Sequence, residues 1–277
     1  MINRLKILLL IGLFFVTFCV NTVFAEEILK LATTTSTYET GLLDYVFPAF
    51  EKKYNVKIHI ISVGTGKAIK LGENGDVDVL LVHSPEVEEG FIREGYGLNR
   101  KTIMSNNFII IGPKDDPACV RDLKNVKNAL KNIARTQSIF VSRGDDSGTH
   151  NKEKFLWSKA GIVPQGEWYL ESGQGMTQTL VIADEKNAYC LTDRATYLFN
   201  RDRLRLVKLL EEDNDLENPY SVIAVNPHKH SHIKYKLSMK FIEWITSSYC
   251  LRKIENYKKN GTTLFVPFRT VLNIKIL

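Results

Sequence analysis

The sequence contains few cysteines, and none of their spacings is typical of a metal centre. Of its four cysteines, Cys119, Cys190 and Cys250 lie beyond the first 25 residues. They are too far apart to match the short Cys-x-x-Cys patterns of zinc sites. One disulfide is compatible with an exported protein, but an odd count leaves at least one thiol free. We expect three buried thiols instead.

The chain also lacks a charge cluster, an internal repeat and a low-complexity tract. Its 277 residues include 37 basic and 31 acidic side chains, and the two signs are interspersed. Proteins that bind nucleic acid concentrate basic residues on one face or in one run. The sequence therefore argues against a nucleic-acid partner, and its length suits one large domain or two modest lobes.

The apolar run near the N terminus is too short to span a membrane. It covers residues 7–20, whereas a spanning helix needs roughly 18 to 20 apolar residues. Arg4 and Lys6 precede the run, and a small-residue pattern ending at Ala25 follows it. This arrangement is typical of a secretory signal peptide. We predict that residues 1–25 are removed and that the mature chain is exported to the periplasm, or otherwise outside the cytoplasmic membrane.

Two alternatives to signal cleavage remain open. One is a retained membrane anchor, and the other is a lipoprotein attached through Cys19. The second is disfavoured because Phe18 is bulky where a small residue usually precedes a lipid-modified cysteine. Cleavage would leave 35 basic and 31 acidic side chains, a net charge of +4.

Short apolar runs alternate with amphipathic segments from Ile28 onward. ILKLA (28–32) and VKIHIISV (56–63) flank a segment whose apolar side chains share one helical face. This rhythm predicts an α/β fold with a mostly parallel sheet. The other predicted elements are helices near 67–71, 86–94, 120–134, 149–160, 176–185 and 233–249, and strands at 76–83, 107–112, 138–143 and 188–193.

Two similar stretches suggest a hinge. NNFIIIGP (106–113) and YSVIAVNP (220–227) are both β-rich runs that end in proline. They bracket about a hundred residues, as expected for a lobe inserted into another lobe. We predict lobe one at 26–112 and 225–277, lobe two at 113–224, and a two-strand hinge between them.

The hydroxyl residues TTTS (33–36) end the first predicted strand. Ser36 and Glu39 have the spacing of a helix capping box, which accounts for one hydroxyl. Capping does not require three preceding threonines. Ligands of open α/β sheets bind at the carboxyl ends of the strands, where helix N-termini present free N–H groups to anions.

A Gly-Thr-Gly turn follows the second predicted strand, in VGTGKA (63–68). A nucleotide-binding loop would require glycine in place of Ile61 and a hydroxyl in place of Ala68, so an NTPase is rejected. A plain tight turn and a close backbone approach to a ligand both remain open for Thr65 and Gly66.

The segment SRGDDSGTH (142–150) again places hydroxyls and glycines between a strand and a helix, here with Arg143. The planar guanidinium suits an oxyanion. Asp145 and Asp146 are expected to be first-turn or capping carboxylates. A serine hydrolase with Ser147 as nucleophile is a remote alternative, because no third residue is identifiable to orient His150.

Two other polar segments have ordinary interpretations. Thr192, Asp193 and Arg194 end a predicted strand. An ion pair between Asp193 and Arg194, or from either of them to a neighbour, is expected, with ligand contact as the alternative. His228, His230 and His232 alternate after a proline; they favour a polar loop, with a zinc site as the alternative.

Taken together, TTTS, VGTGKAIKLGENGDVDVLLVH, SRGDDSGTH and AYCLTDRATY resemble the tungstate-binding periplasmic proteins of ABC transporters, a family of type II oxyanion solute-binding receptors. The resemblance runs from about Leu29 to Pro267 and excludes the last residues, RTVLNIKIL. It implies a periplasmic-binding-protein-like type II fold of two α/β lobes joined by a two-strand hinge. It also implies a monomer that delivers its ligand to an inner-membrane permease, without catalytic residues, cofactor or bound metal cation.

The resemblance also implies a set of ligand-binding residues. These are Thr34, Thr35, Ser36, Thr65, Gly66, Arg143, Ser147, Gly148 and Thr149. Tungstate, the expected ligand, is a dianion without protons at neutral pH, so a site of donors suits it. Molybdate fits the same description. Phosphate retains a proton, and a carboxylate of Asp145 or Asp146 facing the ligand would favour it instead.

Overall fold

The structure, a computed structural model, describes residues 26–259 and 261–268. The predicted signal peptide, Cys19 and the C-terminal residues 269–277 lie outside these ranges. Within the described ranges, each helix is too short or too polar to cross a lipid bilayer.

Strands and helices alternate along the first part of the chain. The elements are β1 (Glu27–Thr34), α1 (Thr35–Glu39), α2 (Leu42–Val46), α3 (Pro48–Tyr54), β2 (Val56–Val63), α4 (Thr65–Asn74), β3 (Val79–Val82), α5 (Pro85–Arg93) and β4 (Gly97–Gly112). The apolar side chains expected on one helical face are all buried, but they are divided between α2, α3 and the junction between them: Leu42, Leu43, Val46, Phe47 and Phe50. Pro48 starts α3, a position where its missing N–H costs no hydrogen bond.

The middle of the chain contains shorter strands. Its elements are α6 (Val126–Thr136), β5 (Phe140–Ser142), α7 (Gly148–Ala160), β6 (Tyr169–Glu171), α8 (Met176–Glu185), β7 (Cys190–Asp193), α9 (Arg194–Asn200) and β8 (Val207–Leu210). The helix expected at 120–134 begins only at Val126. The reason is local, because the Asn125 side chain accepts the Asn128 N–H at 3.3 Å and caps the helix there.

The C-terminal part has more helices than expected. Its elements are β9 (Glu217–Val225), α10 (Tyr235–Ile245), α11 (Ser248–Asn256), β10 (Lys258–Lys259), β11 (Thr262–Thr263) and β12 (Val266–Pro267). The single helix expected at 233–249 is wrong. Thr246 donates to the Ile242 carbonyl at 2.8 Å, and the Ser247 hydroxyl accepts the Cys250 N–H at 3.3 Å. These side-chain hydrogen bonds end one helix and cap the next.

The larger sheet has the strand order β12-β4-β9-β3-β1-β2. β1 pairs in parallel with β2 and β3, whereas β9 pairs antiparallel with β3 and β4. The expected mostly parallel sheet is therefore a mixed one. The parallel part brings the carboxyl ends of β1, β2 and β3 to one edge.

β4 belongs to two sheets. Residues 97–107 pair with β9, whereas residues 108–112 pair with β7 and β8. The whole of β9, from Glu217 to Val225, pairs within the larger sheet. The strands β5 to β8 and the helices α6 to α9 lie between β4 and β9 in the chain.

Each lobe has its own apolar core. In the first, Phe50 of α3 packs edge-on against Phe241 of α10 at 5.2 Å between ring centroids. In the second, Phe140 of β5 packs edge-on against Trp157 of α7 at 5.3 Å. Burial of one such side chain contributes roughly 1.5 to 3 kcal/mol. These cores hold the strand ends in place.

The three cysteines are free thiols in the part of the chain that the structure describes. Cys190 and Cys250 are buried, and burial raises the pKa of the Cys250 thiol to about 12. The expectation of a buried thiol is wrong for Cys119, which is exposed in the connection between β4 and α6.

Candidate functional site

The parallel register places three polar strand ends side by side. Thr34 at the end of β1 pairs with Val63 at the end of β2, and Thr33 pairs with Leu81 of β3. The segments that follow these strands begin with Thr35, Gly64 and His83. The sheet edge therefore collects hydroxyl, backbone N–H and imidazole groups.

Thr34, and not Ser36, caps α1. The Thr34 hydroxyl accepts the Thr37 N–H at 3.4 Å and lies 2.6 Å from the Thr37 hydroxyl and 3.3 Å from that of Ser36. The expected capping box between Ser36 and Glu39 is therefore wrong, because the strand continues to Thr34 and the helix starts one residue later. Thr35 is only partly buried.

Thr33 and Thr37 have different roles. Thr33 donates to the Leu81 carbonyl at 2.9 Å, which ties β1 to β3. Thr37 is fully buried and was not predicted from the sequence. Its proximity to Thr34 makes it part of the same cluster of hydroxyls.

The second predicted segment begins α4. Gly64 is the N-cap and Thr65 the first helical residue. Thr65 is 1% exposed, and its hydroxyl has no hydrogen-bond partner among the described residues. Gly66 is exposed at the next position. A buried hydroxyl at a helix N-terminus is well placed to bind an anion.

The third predicted segment lies between β5 and α7. Ser147 caps α7, accepting the His150 N–H at 3.3 Å, and Gly148 and Thr149 form the first turn. Arg143 is 5% exposed. Its Nε and the Thr149 hydroxyl are buried, and within the described ranges neither has a partner.

Three buried polar groups without partners thus come from both lobes: Thr65 Oγ1, Arg143 Nε and Thr149 Oγ1. Leaving one such group unsatisfied costs about 1 to 3 kcal/mol. A methyl group built on Gly148 would lie 3.0 Å from Thr65 Oγ1, so the start of α7 directly approaches the start of α4. The three groups include an N–H and two hydroxyls, each able to donate to an anion.

The two aspartates have other partners. Asp145 accepts from Arg143 Nη2 at 2.5 Å and from the Ser147 N–H at 3.2 Å. The Asp146 side chain is 84% exposed and pairs with Lys154 at 2.9 Å. Lys154 lowers the pKa of the Asp146 carboxyl. Both carboxylates thus accept hydrogen bonds from neighbouring groups of the same segment or of α7.

His83 is a further candidate site residue, which was not predicted from the sequence. It follows β3, is 4% exposed, and its ring stacks on Tyr220 with 4.6 Å between centroids. The methyl group built on Gly148 would lie 3.4 Å from His83 Cε1. In TTTS and SRGDDSGTH, polar residues directly follow a predicted strand. DVDVLLVH has the same pattern, because His83 directly follows a strand, so this pattern could have identified His83.

The geometry around Ser147 is that of a helix cap. Its hydroxyl is bonded to the His150 backbone N–H, while the His150 Nδ1 accepts the Asp146 N–H at 3.0 Å. The hydrolase alternative needs the imidazole to accept the serine proton. The hydrogen bonds of the described residues give His150 a different role.

Two of the three histidines after β9, His230 and His232, contact backbone carbonyls at the end of α4. His230 Nε2 lies 2.7 Å from the Glu73 oxygen, and His232 Nε2 lies 2.8 Å from the Gly75 oxygen. Across residues 26–259 and 261–268, no three His, Cys, Asp or Glu side chains are grouped as metal ligands. The polar-loop interpretation accounts for these contacts.

Asp193 and Arg194 do not pair with each other. Asp193 caps α9, accepting the Thr196 N–H at 2.9 Å, and also accepts from Asn106 at 3.3 Å. Arg194 pairs with Glu211 at 2.9 Å. Asp193 thereby connects lobe two to β4 at its crossing between the sheets.

Glu153 is a buried carboxyl on α7, the helix that follows the Arg143 segment. It accepts from Tyr169 at 2.7 Å and from Trp157 at 3.1 Å. Burial is the largest effect on this group and raises its pKa from 4.5 to about 7. Near neutral pH this carboxyl, on the second turn of α7, therefore changes its protonation state.

We expect the free energy of unfolding to fall as pH rises from about 4.5 to above 7. The folded chain binds the Glu153 proton more tightly than the unfolded chain, so the stabilisation is complete below the unfolded pKa and lost through the folded one. The full change is on the order of 3 kcal/mol. Glu153→Gln is expected to remove this contribution, measured by urea unfolding at pH 5 and pH 8. The exposed Glu185→Gln is the control, and an equal slope in wild type and Glu153→Gln would contradict the assignment.

The comparisons with known proteins agree on one family. The model described as "PBP superfamily domain" matches residues 25–248. The tungstate-binding protein TupA of Peptoclostridium acidaminophilum is 46% identical, over 88% of this chain and 86% of its own length. The structure described as the tungstate ABC transporter from Geobacter sulfurreducens is 50% identical, with a TM-score of 0.77, over 84% of this chain and 100% of its own. The tungstate-binding protein TupA from Desulfovibrio alaskensis G20 is 43% identical, with a TM-score of 0.78, over 88% and 100%. This chain therefore belongs to the PBP superfamily and, within it, to the family of ABC-transporter solute-binding receptors that includes these proteins.

Proposed function

We propose that this receptor binds tungstate between its two lobes. Four buried side-chain groups have no partner in the described residues, and three of them carry the proposal: Thr65 Oγ1, Arg143 Nε and Thr149 Oγ1. The fourth is Ser221 Oγ of β9. Each of the three can donate a hydrogen bond, and the three come from the ends of two strands in different lobes. A tetrahedral oxyanion would supply acceptors to all of them.

The proposed ligand contacts extend to the neighbouring hydroxyls and amides. They are Thr34, Thr35, Ser36, Thr65, Gly66, Arg143, Ser147, Gly148 and Thr149. The N-termini of α4 and α7 add partial positive charge to this set. Arg143 adds a guanidinium whose Nε is free to donate and whose charge is paired with Asp145.

The choice of anion follows from the donors and from the relatives. An oxyanion that keeps a proton, such as phosphate, needs an acceptor, and the carboxylates of Asp145 and Asp146 are directed to Arg143 and Lys154. Tungstate and molybdate carry only acceptors and suit the site equally. The relatives described as tungstate-binding favour tungstate, with molybdate as the second candidate.

The proposed cycle is that of a receptor and not of an enzyme. We place lobe boundaries at the two crossings, after Asn107 and before Glu217, so that β4 and β9 form the hinge. The lobes close on the anion, and the closed monomer docks on an inner-membrane permease. We further propose export to the periplasm with cleavage of the signal peptide near Ala25.

Isothermal titration of the mature chain tests the ligand. Tungstate, molybdate, sulfate and phosphate are titrated separately, and tungstate is then competed against molybdate. We expect tungstate to bind tightly and phosphate weakly. Lack of binding by all four anions would contradict the proposal, and phosphate as the tightest ligand would replace tungstate.

Loss of a contact between α8 and α1 is expected to speed anion release. The Thr177 hydroxyl donates to Glu39 Oε2 at 3.0 Å, linking lobe two to lobe one beside the proposed site. An exposed hydrogen bond to a charged group contributes about 1 kcal/mol, so Thr177→Val is expected to raise the dissociation rate about fivefold. Stopped-flow fluorescence measures this rate.

The matched control is Thr136→Val. Its hydroxyl bonds to the Asn132 carbonyl at 2.9 Å, within lobe two. The control is expected to release the anion at the wild-type rate. Equal rates for wild type and Thr177→Val would show that this contact does not hold the lobes together.

A further inference from the structure

His83 has a fixed orientation at the edge of the proposed site. Its Nδ1 lies 2.9 Å from Asn218 Oδ1, and the ring is stacked on Tyr220. Asn218 Nδ2 donates to Asn106 Oδ1 at 2.7 Å and to the Tyr220 hydroxyl at 3.3 Å. These donations fix Asn218 Oδ1 as the acceptor facing His83. His83 Nδ1 therefore carries a hydrogen, and Nε2 is the atom whose protonation changes.

The free edge of the imidazole faces the start of α7. A methyl group built on Gly148 would lie 3.4 Å from His83 Cε1, 3.7 Å from His83 Nε2 and 3.0 Å from Thr65 Oγ1. His83 Nε2 is thus directed toward the junction of the two helix N-termini. A cavity of about 290 Å³ borders both His83 and Gly148.

The charges of the site do not balance a dianion. Arg143 contributes one positive charge, but Asp145 already neutralises it. The N-termini of α4 and α7 each act as roughly half a positive charge. An anion with two negative charges would therefore leave about one negative charge uncompensated in a buried site.

We propose that His83 supplies the missing charge, taking up one proton at Nε2 when the anion binds and donating it in a hydrogen bond to an anion oxygen. This inference rests on the proposed oxyanion function. The proton comes from solvent, and no covalent bond forms or breaks. His83 would then be a ligand of the anion as well as the residue that makes its binding depend on pH.

The surroundings of the ring favour this change of state. The charged and titratable groups that face it or share its cavity are Asp193, Arg143, Tyr220, Glu86, Lys152 and Glu217. Burial, with a smaller contribution from Arg143, lowers the pKa of His83, so the ligand-free ring is neutral at pH 7. A bound dianion would favour the charged imidazolium and raise that pKa. Between the two pKa values, anion affinity falls as pH rises, by up to about tenfold per unit.

Calorimetry in buffers of different ionisation enthalpy tests the inference. Tungstate is titrated into the mature chain at pH 7.5 in phosphate-free buffers, and the dependence of the heat on the buffer gives the number of protons taken up. We expect close to one proton for wild type and close to none for His83→Gln. Two control variants are expected to retain the uptake. His59→Gln removes an exposed imidazole, and Glu153→Gln removes a carboxyl whose pKa is about 7.

The outcomes separate this inference from the proposed function. Tungstate binding without proton uptake by wild type overturns the role of His83 alone, as does equal uptake in His83→Gln. If wild type does not bind tungstate, the proposed function fails, and this inference fails with it. Should His83→Gln not fold, histidine-labelled wild type is examined by NMR. The His83 Cε1–H resonance is expected to move to the imidazolium position on adding tungstate, and an unmoved resonance overturns the inference.

Discussion

Arg143→Ala is expected to weaken tungstate binding by about 10²- to 10³-fold while leaving the chain folded. A hydrogen bond from a charged donor contributes roughly 1.5 to 3 kcal/mol. The substitution also leaves the Asp145 carboxylate without its partner beside the anion, which adds repulsion. A combined loss of about 3 to 4 kcal/mol corresponds to the stated range. Isothermal titration gives the affinity, and circular dichroism confirms the fold.

A second variant separates the two causes of this loss. If the unpaired carboxylate contributes, Arg143→Ala with Asp145→Asn is expected to bind more tightly than Arg143→Ala alone. Arg205→Ala is the control, because Arg205 is exposed and pairs with Asp184 outside the proposed site. Wild-type affinity in Arg143→Ala would remove this residue from the site.

Gly148→Val is expected to weaken tungstate binding by about 5- to 150-fold through a steric effect. A Cβ at this position would lie 3.0 Å from Thr65 Oγ1, closer than packed atoms normally approach, and would contact His83 Cε1 at 3.4 Å. The two further methyl groups of valine would extend into the same junction. Overpacking of this kind costs roughly 1 to 3 kcal/mol, which corresponds to the stated loss of affinity. The overpacked atoms lie where the two lobes meet, so the closed form is destabilised. The ligand-free chain can relieve it by opening, so the loss is expected in affinity and not in stability.

Two further variants are measured: Gly148→Ala as an intermediate case and Gly90→Ala as the control. The alanine at 148 is expected to lie between wild type and Gly148→Val in affinity, because it adds only the first atom of the side chain. Gly90 lies on α5, where a Cβ would meet only Arg93 Nη2 at 3.9 Å, so Gly90→Ala is expected to bind as wild type. Unchanged affinity in Gly148→Val would mean that the lobes do not close at this contact.

Local patterns were sufficient where an element is defined by its own residues. β2 and α8 occupy the ranges expected from the sequence, Val56–Val63 and Met176–Glu185. The α7 helix ends as expected before Gly161, which adopts the left-handed conformation that glycine favours. In these cases the hydrophobic period and the terminating residue carry the information.

Local patterns failed where a neighbouring element decides the outcome. Ser36 and Glu39 have capping-box spacing, but strand pairing extends β1 to Thr34 and moves the cap there. The expected helix at 233–249 has a suitable apolar face, yet Thr246 and Ser247 bond to backbone groups and divide it. The mixed sheet is a further example, because strand direction depends on which strands become neighbours.

The sequence by itself determined the chemistry of the proposed site: hydroxyls, glycines and one arginine at three strand ends, in an order that identifies the receptor family. Only the tertiary structure decided which of these groups face one another. The threonines illustrate the difference, since Thr33 is used by the neighbouring strand while the Thr65 and Thr149 hydroxyls are buried without partners in the described ranges. His83 and Gly148 meet although they are distant in the chain. Strand register and lobe closure set these contacts, and both depend on residues far apart in sequence.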